Sequence, residues 1–154
     1  FNQSEVAVIE DFAHHPTAVR TTLAGIKEAY PGRRLIAVFE PRSNTSRRAF
    51  FQDEYPVSFD ACDIAVILEV ADAGGYQGTA RQVGALDVPE LTRQIMRRGK
   101  TAACFRTVKE IEDFLCREIR SGDLTVLMSN GDFGGLAQTL PRALQRVLRN
   151  NTPK

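Results

Sequence analysis

Residues 10 to 19, EDFAHHPTAV, crowd an acid, two adjacent histidines and a proline into one short corner: Asp11, His14, His15 and Pro16. The two histidines are the only ones in the chain. A zinc site wants histidines at i, i+3 or i, i+4 on a helix, whereas neighbours point apart, and no acids or thiols stand at ligand spacing nearby. The corner therefore argues against a metal. Two readings stay open: a histidine that caps or hydrogen-bonds a helix start beside a turn-forming Asp11, or a site built at the end of a strand.

Two further loops carry groups that bind anions. EPRSNTSRR brings Arg42, Arg47 and Arg48 close to Ser43, Asn44 and Thr45. Guanidinium groups hold carboxylate or phosphate bidentately, with small hydroxyl and amide donors beside them. A solvated basic loop that leads into a helix accounts for the same composition. Arg42 stands out because it directly follows the strand end at Pro41, whereas Arg48 is expected to face solvent. SNGDFGGL sets three glycines within five residues between a strand pattern and a helix pattern. Its backbone N–H groups can hold an anion at a helix N-terminus, and a tight turn with an N-cap explains the glycines equally well. The spacing is not GxGxxG. RRGKTA supplies the tail of a phosphate loop, but Gln94 stands where the first glycine belongs, and the context runs from helix to strand. It reads as a helix C-cap.

The elements that position these loops follow from hydrophobic pattern. Short apolar runs recur at EVAVIED, RLIAVFE, DIAVILEV, TAACF and LTVLMS, each nearly continuous, as in strands buried on both faces. Helical patterns separate them. Pro16 suits a first helical position ahead of Val19, Leu23 and Ile26. Pro89 opens a second helix with Leu91 and Ile95 inward, and RRG ends it. Thr107 and Glu110 form a capping box before Ile111, Leu115 and Ile119. Leu136, Leu140, Leu144 and Leu148 line the last helix, which Pro141 is expected to kink or to start later. SRRAFFQDEYPVSF is expected to begin as a helix. The alternation predicts an α/β fold: an open, mostly parallel sheet with helices on both faces. In such sheets ligands bind beyond the carboxyl ends of the strands, where all the polar loops should gather.

Bulk properties agree. At 154 residues, 43% hydrophobic, 25% charged and with net charge +1, the chain reads as one ordinary globular domain with no electrostatic case for nucleic acid or membrane. Cys62, Cys104 and Cys116 are odd in number and lack CxxC spacing, so they are expected to be buried thiols in a reducing, cytoplasmic setting.

DFAHHPTAV resembles the D-[YF]-[AG]-H-x-P motif of the C-terminal domain of Mur ligases, which build peptidoglycan precursors. AVFEPRSNTSRR and SNGDFGGL are similar to the murein peptide ligase branch of that family, and the resemblance runs in order from Val6 to the final helix. It implies a Rossmann-like domain over residues 1–150 with a polar tail at 151–154, separated from an N-terminal UDP-sugar domain and a central ATPase domain. It also implies an ATP-dependent ligase that joins UDP-N-acetylmuramate, through an acyl phosphate, to the tripeptide L-alanyl-γ-D-glutamyl-meso-diaminopimelate in peptidoglycan recycling. ATP and Mg2+ would be held mainly by the central domain. The catalytic positions implied are Asp11, near the nucleotide and its magnesium-bearing phosphates, and His14 in the same interdomain cleft, with His15 orienting the substrate or the corner. Charge logic then places the carboxylate-rich tripeptide on Arg42, with Asn44, Thr45 and Arg47 beside it. Ser129, Asn130 and Asp132 would meet its amino end or its acidic part, with Asp132 suited to an ammonium such as that of diaminopimelate. The isolated domain is expected to fold and to be inactive. Alternatives are the sibling ligase that takes free L-alanine, and a non-catalytic α/β module that binds a small anion.

Overall fold

The computed structural model describes residues 6–42, 51–69 and 86–150, without the side chains of 148–150. Five strands, β1 (Ala7–Asp11), β2 (Leu35–Phe39), β3 (Ile64–Leu68), β4 (Thr101–Phe105) and β5 (Leu124–Met128), form one sheet in the order β1-β5-β2-β3-β4. Every pairing is parallel, so each connection must cross over a face.

The α/β architecture expected from the sequence is present. The three inner strands are buried along their whole length, as continuous apolar runs demand. The two edge strands β1 and β4 are only partly buried, because each has a neighbour on one side alone. Helices α1 (Pro16–Ala29), α2 (Tyr55–Ser58) and α3 (Val88–Arg97) cover one face through Val19, Leu23, Tyr55, Leu91 and Ile95. Helices α4 (Val108–Glu118) and α5 (Leu136–Asn150) cover the other through Ile111, Leu115, Leu136, Leu140 and Leu144.

Local signals explain the helix ends. Pro16 occupies the first turn of α1, where its missing N–H costs nothing. Asp87 caps α3 by accepting from the Glu90 N–H, so that helix starts one residue before Pro89. The Thr107–Glu110 capping box is fully formed. Gly99 takes the left-handed conformation just past α3 (φ 81°). The expected helical start of SRRAFFQDEYPVSF (46–50) lies outside the described residues, as do residues 43–45 and 70–85; within the described part of that segment the helix is the short α2. One expectation is corrected: Pro141 does not delay the last helix, because α5 begins at Leu136 and continues past it. Of the three thiols, all free, only Cys62 is buried, and burial pushes its pKa up to about 12. It is an inert core group.

The amino ends of the strands are tied by charge. Arg34 grips Asp123 with two donors at 3.0 and 2.6 Å and also reaches Glu118 at 2.9 Å. Arg33 donates to the carbonyls of Gly122 and Asp123. Asp123 is 4% exposed and also accepts the Arg120 N–H. Lys27 and the Leu35 N–H both meet Asp63 at 2.8 Å.

Replacing Asp123 with alanine leaves Arg34 without its best-buried partner and should cost about 3 kcal/mol in urea unfolding. At Asp63 burial raises the pKa, but the Lys27 bond, the Leu35 N–H and nearby lysine charge outweigh it and hold it below 3.8. A depressed native pKa stabilises the fold above the ordinary carboxylate range and loses that contribution as pH falls through the native value. The urea midpoint should therefore drop below about pH 4, and Asp63→Asn should flatten that drop.

Candidate functional site

The carboxyl ends of the strands finish level. Asp11 is paired with Met128, and Met128 in turn with Phe39, so the residues that follow, Phe12, Ser129 and Glu40, leave the sheet side by side. From β5 the chain passes to α5 on one face; from β2 it passes to α2 on the other. Adjacent strands whose connections diverge leave a crevice between them, where α/β sheets bind ligands.

Within the DFAHHP corner the groups separate by role. Asp11 Oδ1 accepts from the Ala13 N–H at 2.7 Å and from the Thr22 hydroxyl at 3.2 Å, which ties the strand end to α1. His15 is the N-cap of α1, its Nδ1 accepting from the Thr17 N–H at 3.3 Å, with its ring edge-on to Phe51 at 4.8 Å. His14 Nδ1 lies 2.9 Å from the Phe12 carbonyl. A carbonyl only accepts, so Nδ1 is the donor in this contact, and Nε2 makes no hydrogen bond to the described residues. The Tyr55 hydroxyl donates to the His14 carbonyl at 2.7 Å. The His15 ring thus turns towards the approach to α2, whereas the His14 ring stays against Phe12 and only its backbone carbonyl meets α2.

Asp11 itself faces a cleft of about 230 Å³ that it shares with Glu10, Phe12, Ser129, Gly131 and Asp132. Phe12 stands 68% exposed at its rim. On the β2 side Arg42 Nη1 donates to Asp132 Oδ1 at 3.1 Å, with both side chains open to solvent (49% and 74% exposed). This is the one hydrogen bond that the Arg42 guanidinium makes among the described residues, which leaves its other donors available. Asp132 also accepts weakly from the Gly134 N–H at 3.4 Å. The glycine loop therefore folds as a tight turn with an N-cap-like aspartate: Gly134 and Gly135 have φ of 58° and 77°, and a single 3-10 turn spans Phe133–Gly135 ahead of α5.

Ser129 is buried and bridges the two loops. Its hydroxyl donates to Glu40 Oε2 at 2.5 Å and accepts from the Gly131 N–H at 3.0 Å. Asn130 lies beside it, its Oδ1 buried without a hydrogen-bond partner among the described residues. Asn44, Thr45 and Arg47 lie outside the described residues. Six of the candidate residues thus separate by place: Asp11, Ser129, Asp132 and Arg42 lie at the crevice, His15 caps α1, and the backbone carbonyl of His14 joins the corner to α2. No group of three or more metal-binding side chains occurs among the described residues, and no described helix is long and apolar enough to cross a membrane.

Sequence reasoning passed over Glu40. It is an acid that ends a wholly apolar strand and is 8% exposed in the structure. A carboxylate in that position is a signal in itself, because burial of a charge is costly unless something polar meets it.

Comparison with known proteins places this geometry. The family described as "Mur ligase, glutamate ligase domain" matches residues 1–131. The UDP-N-acetylmuramate–L-alanine ligase of Symbiobacterium thermophilum is 35% identical over 91% of the chain and 28% of its own length. A murein peptide ligase structure from Psychrobacter arcticus superposes with TM-score 0.76 at 30% identity, covering 98% of this chain and 29% of that one. A domain of a putative UDP-N-acetylmuramate:L-alanyl-γ-D-glutamyl-meso-diaminopimelate ligase from Haemophilus ducreyi shares the fold, with TM-score 0.66 at 24% identity over 94% of this chain and 93% of its own. The chain spans less than a third of the length of the first two. A parallel sheet with its polar loops gathered at one edge, together with these matches in sequence and shape, makes the chain a member of the Mur ligase C-terminal domain family.

Proposed function

We propose that this domain recognises the amino substrate of an ATP-dependent, amide-forming peptidoglycan ligase, the tripeptide L-alanyl-γ-D-glutamyl-meso-diaminopimelate, and presents it to UDP-N-acetylmuramate. The supporting observation is the exposed Arg42–Asp132 pair at the crevice between β2 and β5. A guanidinium with free donors beside a carboxylate suits a molecule that carries both a carboxylate and an ammonium, as the diaminopimelate end does. The carboxylate of the peptide takes the open donors of Arg42. Its ammonium takes Asp132. Asn44, Thr45 and Arg47 extend the same loop, and Ser129 and Asn130 form the floor.

ATP supplies the activation of the muramate carboxylate. In this reading the nucleotide and Mg2+ are held mainly by a partner ATPase domain of the same cytoplasmic enzyme. Asp11 and His14 face that partner in this reading. Asp11 Oδ1 is engaged within the corner, and its second oxygen is the one that remains to meet the nucleotide side.

A second reading keeps the chemistry and makes free L-alanine the amino substrate. It is favoured by sequence relatives that are named UDP-N-acetylmuramate–L-alanine ligases, such as that of Methylococcus capsulatus at 33% identity. The two differ in what Arg42 must hold.

In the polypeptide that joins this domain to its ATPase domain, ADP release with UDP-N-acetylmuramate should be faster with the tripeptide than with L-alanine. Arg42→Ala should raise the KM for tripeptide tenfold or more, the worth of about one charge-assisted hydrogen bond. Asp132→Ala should weaken tripeptide binding as well, and unaltered affinity would remove its assigned role. Preference for L-alanine would move the domain to the sibling branch. No ADP release with either would leave a non-catalytic binding module.

A further inference from the structure

Four of the glycines have a positive φ that explains them: Gly99, Gly122, Gly134 and Gly135. Gly131 does not, and its backbone would accept an L side chain. What excludes one is space. A Cβ at this position would lie 2.1 Å from Arg42 Nη1, 2.8 Å from Cζ and 3.1 Å from Cδ, so the guanidinium rests directly on the backbone of Gly131. The Gly131 N–H is in turn held by the Ser129 hydroxyl, which donates to the buried Glu40 carboxylate at the root of the Arg42 loop. The Arg42 N–H bonds to the Glu40 carbonyl at 2.9 Å. Glu40, Ser129 and Gly131 thus form a continuous seat that begins and ends at Arg42.

We propose that Gly131 is a positioning residue whose missing side chain seats the Arg42 guanidinium, with Glu40 and Ser129 holding the seat in place. Neither Gly131 nor Glu40 need touch the substrate. The seat fixes where the free Nη2 and Nε donors point, and therefore where a carboxylate is received. Without it Arg42 is a long chain with several rotatable bonds that must be ordered at each binding event, which costs affinity. This inference rests on the reading that Arg42 receives a carboxylate of the amino substrate.

The test is Gly131→Ala in the full enzyme, assayed by ADP release beside Arg42→Ala and the double variant. Arg42 can swing away from the new methyl group, so the thermal midpoint of Gly131→Ala should match that of the parent. Its KM for the amino substrate should rise roughly tenfold, with kcat and the KM values for ATP and UDP-N-acetylmuramate little changed. In the Arg42→Ala background the same substitution should add nothing, because the group it displaces is gone. Glu40→Gln, which keeps the shape and an acceptor for Ser129, should retain most of the affinity, whereas Glu40→Ala should follow Gly131→Ala. An unchanged KM for Gly131→Ala, or an effect that adds in full to that of Arg42→Ala, overturns the proposal. If Gly131→Ala unfolds the enzyme, the double variant decides: a stable double variant supports the contact, and an equally unfolded one refutes it. If Arg42→Ala alone leaves KM untouched, the recognition role of Arg42 fails, and the seat fails with it.

Discussion

Insertion of β5 between β1 and β2 is the constraint on which the site depends. Asp11, Arg42 and Ser129 are remote in sequence and meet only because the last strand is hydrogen-bonded to the first on one side and to the second on the other. The register of that insertion is set at the opposite rim. There Arg33 and Arg34, just before β2, hold Gly122 and Asp123, just before β5, and the Leu124 N–H bonds to the Arg34 carbonyl at 2.9 Å. Five residues later Ser129 emerges level with Glu40. Side chains alternate along a strand, so a slip of one residue would send the Ser129 hydroxyl to the far face and break the bridge between the loops.

The two rims spend their charges differently. At the amino ends Arg34 closes on a nearly buried carboxylate, an arrangement that is costly to break. At the carboxyl ends Arg42 and Asp132 are both open to water, and a pair of that kind contributes little to stability. Weakness there is useful. An incoming molecule with a carboxylate and an ammonium can exchange partners with both groups without a large penalty to the fold. Rigidity comes from below, through Ser129 and Glu40, while the charged tips remain free to change hands.

Much of this was legible in the sequence because it is local. Apolar runs marked the five strands, Thr107 and Glu110 marked a helix start, and the polar loops lay after the strands that carry them. The fading burial of β1 and β4 was not legible, because strand order is decided by pairings that no local pattern encodes. The short α2 escaped for a similar reason: Tyr55 and Phe59 are held by aromatic contacts with Phe39 across the core, not by helical periodicity. At the site, Arg42 and Asp132 could be nominated as charged loop residues. Glu40 carried a signal as an acid closing a wholly apolar strand, but its partner did not show, and Gly131 carried none, since a glycine in a turn has an ordinary explanation until the opposite loop is in view.

The pairing of Ala7 with Leu124 also bears on how the domain is made. A ribosome delivers β2, β3 and β4 long before β5, and these can zip together in order of appearance. The edge of β2 that will receive β5 then stands open, and β1 waits without a partner, until nearly the whole domain has emerged. Loops that long are slow to close, and an open strand edge invites pairing with other chains. The crevice is therefore completed last, so a nascent chain passes through a period in which most of its sheet exists and its binding edge does not.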